Sequence, residues 1–235
     1  MSRIIALMNS AGGVGRSTSA LSLAVAFSEY GRKVLLVDCD PQGGLSFMLG
    51  KERSRRTVYD IFSGRERALA MIQQTQERVD LIASSPKLGQ VRRMKDDERL
   101  FRALESFEYD ITIIDTGAGF SEVSQAVLCA ADELIIPTRL DLASVRGALQ
   151  IARERKRYRA RIRGVLPSMV EPRSRVGNEM LVELRAEFGT LLIEPGIPKS
   201  PLILEAAIAG QSLLNFKKAS ELAGRYREIT YDLLD

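Results

Sequence analysis

The chain has 235 residues, of which 45% are apolar and 27% are charged, and it carries a formal net charge of +4. That length and apolar content suffice for a substantial core, and we expect a single domain over residues 1–235. The sequence contains no histidine, which excludes Ser-His and Cys-His nucleophile pairs and the commonest zinc ligand. Any chemistry must therefore use carboxylates, cations, backbone amides or a bound metal ion.

The sequence gives no sign of a membrane or secreted protein. No apolar run approaches the roughly 18 residues that a membrane-spanning helix needs. The N-terminus lacks the basic start and the cleavage site of a signal peptide. The two cysteines, Cys39 and Cys129, match no metal-ligand spacing. We therefore expect a cytoplasmic protein that does not bind membranes.

Short apolar runs alternate with helical patterns along most of the chain. The apolar runs predict strands at Ile4–Met8, Val34–Val37, Val79–Ala83, Ile111–Ile114, Leu134–Pro137 and Ile162–Leu166. Helical spacing predicts helices at Ser17–Tyr30, around Glu98–Phe107, around Ser121–Ala131 and from Leu142 onward. The region from Lys51 to Lys95 is harder to interpret, and we expect short helices around one strand there. The alternation predicts an α/β fold, doubly wound, with a mainly parallel sheet and helices on both faces.

A glycine-rich stretch lies between the first predicted strand and the first predicted helix. Glycines in such a place let backbone N–H groups converge on phosphate oxygens, and the helix N-terminus adds a positive potential. The sequence therefore predicts a phosphate-binding loop of the P-loop type, in which Ser17 offers its hydroxyl to Mg²⁺. The residues expected to bind the nucleotide here are Gly12, Gly13, Val14, Gly15, Arg16, Ser17 and Thr18.

Two motifs resemble those of ParA/MinD-type ATPases, which carry a deviant form of this loop. They are Asn9–Thr18 followed by Asp38-Cys39-Asp40-Pro41-Gln42, and the segment Asp115-Thr116-Gly117 after a predicted strand. The resemblance implies ATP and Mg²⁺ as ligands. It places Asp38 and Asp115 near the metal and makes Asp40 a catalytic residue that assists the attacking water.

Later segments extend the resemblance over nearly the whole chain. One of them follows the last predicted strand and resembles the part of the family that lies beside the adenine ring. The nucleotide-binding residues that it implies are Pro167, Met169 and Pro172.

The loop departs from the family pattern at two cations. Ala11 stands where ParA-like loops carry a signature lysine, and Arg16 stands at the position of the second lysine, where we assign it a catalytic role. Three alternatives follow: slow ATP hydrolysis, a nucleotide-gated regulatory dimer that never hydrolyses ATP, or a substitute cation from elsewhere. In lacking the signature lysine the chain resembles carboxysome-positioning relatives, which use a lysine from a later region. We therefore hypothesise Lys156, in the basic run Arg153–Arg157, as that cation. A charge run of this kind is more usually a solvated helix face.

The resemblance also implies partners. Two copies would dimerise on ATP, bind DNA without sequence preference at the nucleoid and position a plasmid, a chromosome or a large protein body, with a small adaptor protein triggering release. Because the first predicted strand starts within the first few residues, we expect DNA contacts from the ATPase surface itself, including the basic run 153–163. Solvent-facing charge is the alternative for all of these cations. The C-terminal candidates are Lys217, Lys218, Arg225 and Arg227.

Two related classes fit less well. Asp115–Gly119 looks more like switch II of MinD and of the flagellar-number ATPases, which bind membranes through a basic amphipathic tail. Here the tail Tyr226–Asp235 is too acidic for that role, and we expect it to pack on the domain. An iron–sulfur reductase of the same fold needs paired cysteines after switch II, which Cys39 and Cys129 do not supply.

Overall fold

The core of the computed structural model, which describes residues 2–64, 68–92 and 98–234, is a seven-stranded sheet. Its strands are β1 (Arg3–Leu7), β2 (Val34–Cys39), β3 (Ile72–Gln74), β4 (Asp80–Ile82), β5 (Ile111–Thr116), β6 (Glu133–Arg139) and β7 (Arg161–Ser168). They lie side by side in the order β3-β4-β2-β5-β1-β6-β7, and every neighbouring pair is parallel except β3 with β4. The predicted doubly wound, mainly parallel sheet is confirmed.

Helices cover both faces of this sheet. They are α1 (Arg16–Glu29), α2 (Gly44–Met48), α3 (Val58–Ser63), α4 (Arg99–Glu105), α5 (Glu122–Ala130), α6 (Leu142–Glu154), α7 (Arg175–Phe188), α8 (Leu202–Ile208), α9 (Leu213–Phe216) and α10 (Glu221–Asp232). Side chains of a strand alternate between faces, so Ile4 and Ala6 join the core under α4 to α7, whereas Ile5 and Leu7 join the core under α1 and α10. Both faces of the sheet are therefore buried, as the continuous apolar runs predict.

The region from Lys51 to Lys95 differs from its prediction. Its described residues contain two strands, because β3 pairs antiparallel with β4, the strand predicted at Val79–Ala83. The prediction missed β3 because Ile72–Gln74 is short and mostly polar, and so offers no apolar run. Residues 65–67 and 93–97 of this region, like Asp235 of the tail, lie outside the described residues.

The C-terminal helix α10 packs against α1, directly behind the glycine-rich loop. Tyr226 is 1% exposed, and its hydroxyl oxygen lies 3.2 Å from Ser19 Oγ. Arg227 Nε lies 2.6 Å from Glu29 Oε2 at the end of α1. The described part of the tail therefore packs on the domain, as predicted. Among the described residues, no helix combines the length and apolarity that a membrane span requires.

Candidate functional site

The glycine-rich loop joins β1 to α1 at the carboxyl edge of the sheet, as predicted. Gly13 and Gly15 have φ values of 67° and 82°, a backbone conformation that glycine adopts readily and other residues rarely do. No side chain caps the start of α1, which begins at Arg16. The first N–H groups of that helix therefore remain for a ligand, and together with the helix dipole they form an anion-binding end.

Asn9 anchors the loop from behind. Its side chain is 1% exposed. Nδ2 donates to the Pro137 carbonyl at 2.9 Å, and Oδ1 accepts from the Ala11 N–H at 2.9 Å. Helix α6 comes so close that a Cβ on Gly147 would lie 2.2 Å from Asn9 Oδ1. The motif includes Asn9, but sequence reasoning missed Gly147, since a glycine inside a helix carries no signal for a close approach.

Arg16 turns its guanidinium onto the loop itself. Nη1 donates to the carbonyl oxygens of Asn9 at 2.5 Å and of Ala11 at 2.6 Å. Nε is buried and has no hydrogen-bond partner within the described ranges. Burial lowers the pKa of Arg16, and the nearby carboxylates of Asp115 and Asp40 oppose that shift. The predicted phosphate-binding cation is thus bonded to loop carbonyls, although it does lie among the expected carboxylates.

Two aspartates lie side by side where β2 and β5 end. Asp38 and Asp115 are paired in the parallel register, and both are 0% exposed. Burial raises the pKa of Asp115 well above its ordinary value, and the charge of Asp38 raises it further. Burial also raises the pKa of Asp38 to about 6, although hydrogen bonds from Ser46 oppose the shift. The sequence predicted that these two carboxylates would meet, and the structure brings them together.

The surroundings of Asp115 fit a magnesium ion. Both of its carboxylate oxygens are buried and have no hydrogen-bond partner among the residues that the structure describes. The Ser17 side chain lies close enough to lower the pKa of Asp115 in part, but its geometry is not that of a hydrogen bond. Within the described residues, no three His, Cys, Asp or Glu side chains form a metal cage. Mg²⁺ needs no such cage, because it commonly takes one or two protein oxygens together with phosphates and water.

Asp40 lies where the segment after β2 meets the segment after β5. Its Oδ1 accepts from the Gln42 N–H at 2.9 Å. A Cβ on Gly117 would lie 3.2 Å from Asp40 Oδ1 and 3.2 Å from Pro41 Cδ, so glycine permits this approach. The Gly119 N–H donates to the Ser10 carbonyl at 2.9 Å, which joins the same segment to the loop. Asp40 is therefore at the mouth of the site, in a position suited to a water-orienting carboxylate.

The residues predicted beside the base occupy the far side of the loop. Ser168 Oγ donates to the Val14 carbonyl at 2.8 Å, which ties the end of β7 to the loop. Beyond it, Pro172 lines a mainly apolar cavity of about 560 Å³ together with Pro198 and Leu202. Pro167 and Met169 are not among the residues that line this cavity in the described part of the chain.

Lys156 lies far from the loop of its own chain. It follows α6, which starts beside the loop and, with 13 residues, is about 20 Å long. The chain then enters β7 at its amino end, so Lys156 belongs to the opposite edge of the sheet. The prediction rested on the basic run and on the resemblance to carboxysome-positioning relatives, and the helix length separates this lysine from its own loop. Arg146, one residue before Gly147, is the exposed cation of α6 that lies nearest the loop.

The four C-terminal cations differ in their surroundings. Lys217 and Lys218 are exposed. Arg225 donates to the Pro195 carbonyl at 2.7 Å and lies 3.1 Å from Glu228. Arg227 is held by Glu29. Of these four cations, only Lys217 and Lys218 have no ion pair within the described residues.

Comparison with known proteins agrees with this geometry. Residues 2–166 match a family model described as an AAA domain, AAA_31. The chromosome-partitioning ATPase Soj of Thermus thermophilus is 29% identical over 240 residues, covering 99% of this chain and 95% of the relative. A cobyrinic acid a,c-diamide synthase of Mycobacterium smegmatis with bound ADP and magnesium superposes with a TM-score of 0.84 at 27% identity, covering 100% and 94%. Apo McdA of Cyanothece superposes with a TM-score of 0.89 at 23% identity, covering 99% and 100%, and so supports the fold.

The loop, the strand-end aspartates and the strand order define a P-loop nucleotide-binding protein. The chain belongs to the AAA domain family AAA_31, since the match spans more than half of its length. Within that group it is a ParA/MinD-type ATPase, similar to the partitioning proteins Soj and ParA.

Proposed function

We propose that this protein is an ATP- and Mg²⁺-dependent dimerising switch that binds DNA without sequence preference and positions or partitions a cargo. The observation that carries the proposal is Asp115, a buried carboxylate with no hydrogen-bond partner, next to Ser17 and the glycine-rich loop. A carboxylate and a hydroxyl are the oxygen ligands that Mg²⁺ takes alongside nucleotide phosphates. The ADP and magnesium of the M. smegmatis relative support the same assignment.

Nucleotide binding is tested by calorimetry on the folded protein. We expect ATP and ADP to bind more tightly with Mg²⁺ than without it. Ser17→Ala should remove most of that Mg²⁺ effect, because it deletes one of the two oxygen ligands. Ser28→Ala, on the same helix, is the control: the Ser28 hydroxyl donates to the Val25 carbonyl, and this variant should bind as the wild type does. If the wild type binds no adenine or guanine nucleotide, the proposed function is wrong.

Slow hydrolysis follows from the loop's cations. Ala11 supplies no charge, and the Arg16 guanidinium is bonded to the carbonyls of Asn9 and Ala11. Phosphoryl transfer depends mainly on positioned positive charge around the transition state. Ala11→Lys should therefore raise the turnover number about tenfold, and Ala11→Gln, of similar length without charge, should not. Equal turnover in the two variants would show that charge at this position does not limit the rate, and would favour a regulatory dimer that holds ATP unhydrolysed.

A cation on α6 offers a second source of charge. Lys156 lies at the far end of that helix. Arg146 is exposed, precedes Gly147, which approaches the loop, and has no ion pair among the described residues. We therefore favour Arg146 as the substitute cation. Arg146→Ala should slow ATP turnover, and Lys156→Ala should leave it unchanged. The reverse result would indicate that Lys156 is the substitute cation and that it acts on a second copy of the chain.

Dimerisation is supported by apolar side chains around the site. Leu142, Met169 and Val176 are 52%, 38% and 56% exposed, and all three lie at the carboxyl edge of the sheet. Large exposed apolar residues grouped around a site are typical of an interaction surface. Gel filtration with Mg-ATP should give twice the mass measured without nucleotide. A constant monomer mass at saturating ATP would remove the dimer from the proposal.

DNA binding is assigned to Lys217 and Lys218. Contacts of lysines with phosphates are salt-dependent and blind to sequence. The double variant Lys217→Ala and Lys218→Ala should lower DNA affinity in the presence of ATP and reduce the salt slope by about 1–2. Arg53→Ala with Arg55→Ala removes the same charge from a different exposed segment and is the matched control. Equal losses in both double variants would indicate only a general charge effect.

A further inference from the structure

Asp38 is saturated with hydrogen bonds from its own chain. Its Oδ1 accepts from the Asp40 N–H at 3.1 Å. Its Oδ2 accepts from the Ser46 N–H at 2.8 Å and from Ser46 Oγ–H at 2.7 Å. Oδ2 therefore has both lone pairs engaged, whereas the adjacent Asp115 has neither oxygen engaged.

Ser46 passes the connection on to the strand next to β2. Its hydroxyl oxygen, while donating to Asp38, accepts from the Ser84 N–H at 2.8 Å. Ser84 lies two residues after the end of β4, and its own hydroxyl donates to the carbonyl oxygen of Asp40. The four residues thus form a closed ring in which Asp40 N–H bonds Asp38, Ser46 O–H bonds Asp38, Ser84 N–H bonds Ser46, and Ser84 O–H bonds Asp40.

The ring encloses the segment that carries the water-orienting carboxylate. Residues 40–46 leave β2, pass Gly117 and enter α2, and both ends of this segment are fixed by the ring. Ser46 and Ser84 are 1% and 6% exposed, so water does not compete for these bonds. Buried hydrogen bonds of this kind fix geometry because leaving any member unpaired is costly.

We propose that Asp38, Ser46 and Ser84 are positioning residues that hold Asp40 in place, and that Asp38 is not itself a carboxylate that serves Mg²⁺. This rests on the proposed function for its kinetic part only. It reassigns Asp38, whose predicted role was at the metal. The hydroxyls of Ser46 and Ser84 act through hydrogen bonds to this segment, donating to Asp38 Oδ2 and to the Asp40 carbonyl oxygen.

The first test needs no ligand. Hydrogen–deuterium exchange on the nucleotide-free protein compares the wild type with Ser84→Ala and with Ser84→Thr, which keeps the hydroxyl. We expect amides of residues 40–46 to exchange at least tenfold faster in Ser84→Ala, with α1 unchanged and the threonine variant close to the wild type. Unchanged exchange in Ser84→Ala overturns the ring as the device that holds this segment, and equally fast exchange across α1 shows general destabilisation and overturns it too.

The second test separates metal binding from positioning. Asp115→Asn should lose at least fiftyfold in Mg²⁺ affinity, measured by Mg²⁺ titration of ADP binding, and Asp38→Asn should lose less than fivefold. Ser84→Ala should lower the ATP turnover number about tenfold with Mg²⁺ affinity within twofold of the wild type, and Ser84→Thr should restore the rate. Equal Mg²⁺ losses in the two aspartate variants overturn the reassignment. If the wild type binds no nucleotide, the proposed function fails. The exchange test still shows whether the ring holds residues 40–46 in place.

Discussion

The ends of β2 and β5 are adjacent, equally buried and chemically alike, yet they are built in opposite ways. Asp38 at the end of β2 accepts three hydrogen bonds from Asp40 and Ser46. Asp115 at the end of β5 accepts none from the described part of the chain. An unpaired buried carboxylate costs folding free energy, whereas a fully hydrogen-bonded one rigidifies its surroundings. The comparison distinguishes a carboxylate whose hydrogen bonds come from the protein itself from one whose oxygens are left for a ligand.

The largest effect is expected at Asp115. Replacing it with asparagine removes the charge that a divalent cation needs, so the Mg²⁺ dependence of nucleotide binding should disappear. The same change removes a buried unpaired carboxylate, so the metal-free protein should melt roughly 3–8 °C higher at pH 8. Differential scanning calorimetry without metal and nucleotide calorimetry with metal measure the two effects. A lower melting temperature would mean that Asp115 has a partner in solution, and the contrast between the two strand ends would be lost.

An intermediate effect is expected where α6 meets the loop. A Cβ at position 147 would lie 2.2 Å from Asn9 Oδ1 and 2.9 Å from the Ala11 nitrogen. Gly147→Ala must therefore displace the loop, at a cost of about 1–3 kcal/mol in stability. We expect nucleotide affinity to fall about tenfold.

The matched control for this variant is Gly224→Ala, since a Cβ at that helical glycine meets nothing within 4 Å. It should be neutral or stabilise the protein by up to about 1 kcal/mol, because alanine is the better helix former. Chemical denaturation measures both variants. If Gly147→Ala and Gly224→Ala changed stability equally, the loop around Asn9 and Ala11 would be less rigid than its contacts indicate.

The smallest effect is the pH dependence of the asparagine variant. Burial raises the folded-state pKa of Asp115, so its contribution to wild-type stability is present at low pH and is lost as pH rises above the carboxyl's ordinary range. Asparagine does not titrate. The melting-temperature advantage of Asp115→Asn should therefore grow between pH 5 and pH 8, and paired thermal melts at the two pH values measure it. An advantage that shrinks over this interval would contradict the direction of the shift.

The parts that sequence predicted share a local signal. The loop, the strands of continuous apolar residues and the meeting of Asp38 with Asp115 all follow from short motifs and from the shared edge of a parallel sheet. The ring through Ser46 and Ser84 has no such signal, since these two serines are 38 residues apart and serine is common in turns. The Arg16 contacts were also unpredictable, because motif position does not reveal whether a guanidinium faces a ligand or the loop's carbonyls.

The parallel register between β2 and β5 limits which insertions and deletions the coding sequence can accept. Asp38 faces Asp115 because each strand runs in step from Val34 opposite Ile111. Side chains alternate with a period of two, so deleting or inserting a single codon inside either strand would swing one aspartate to the other face of the sheet. Frame-preserving length changes should therefore be confined to surface connections such as residues 30–33, and these two strands should accept substitutions only.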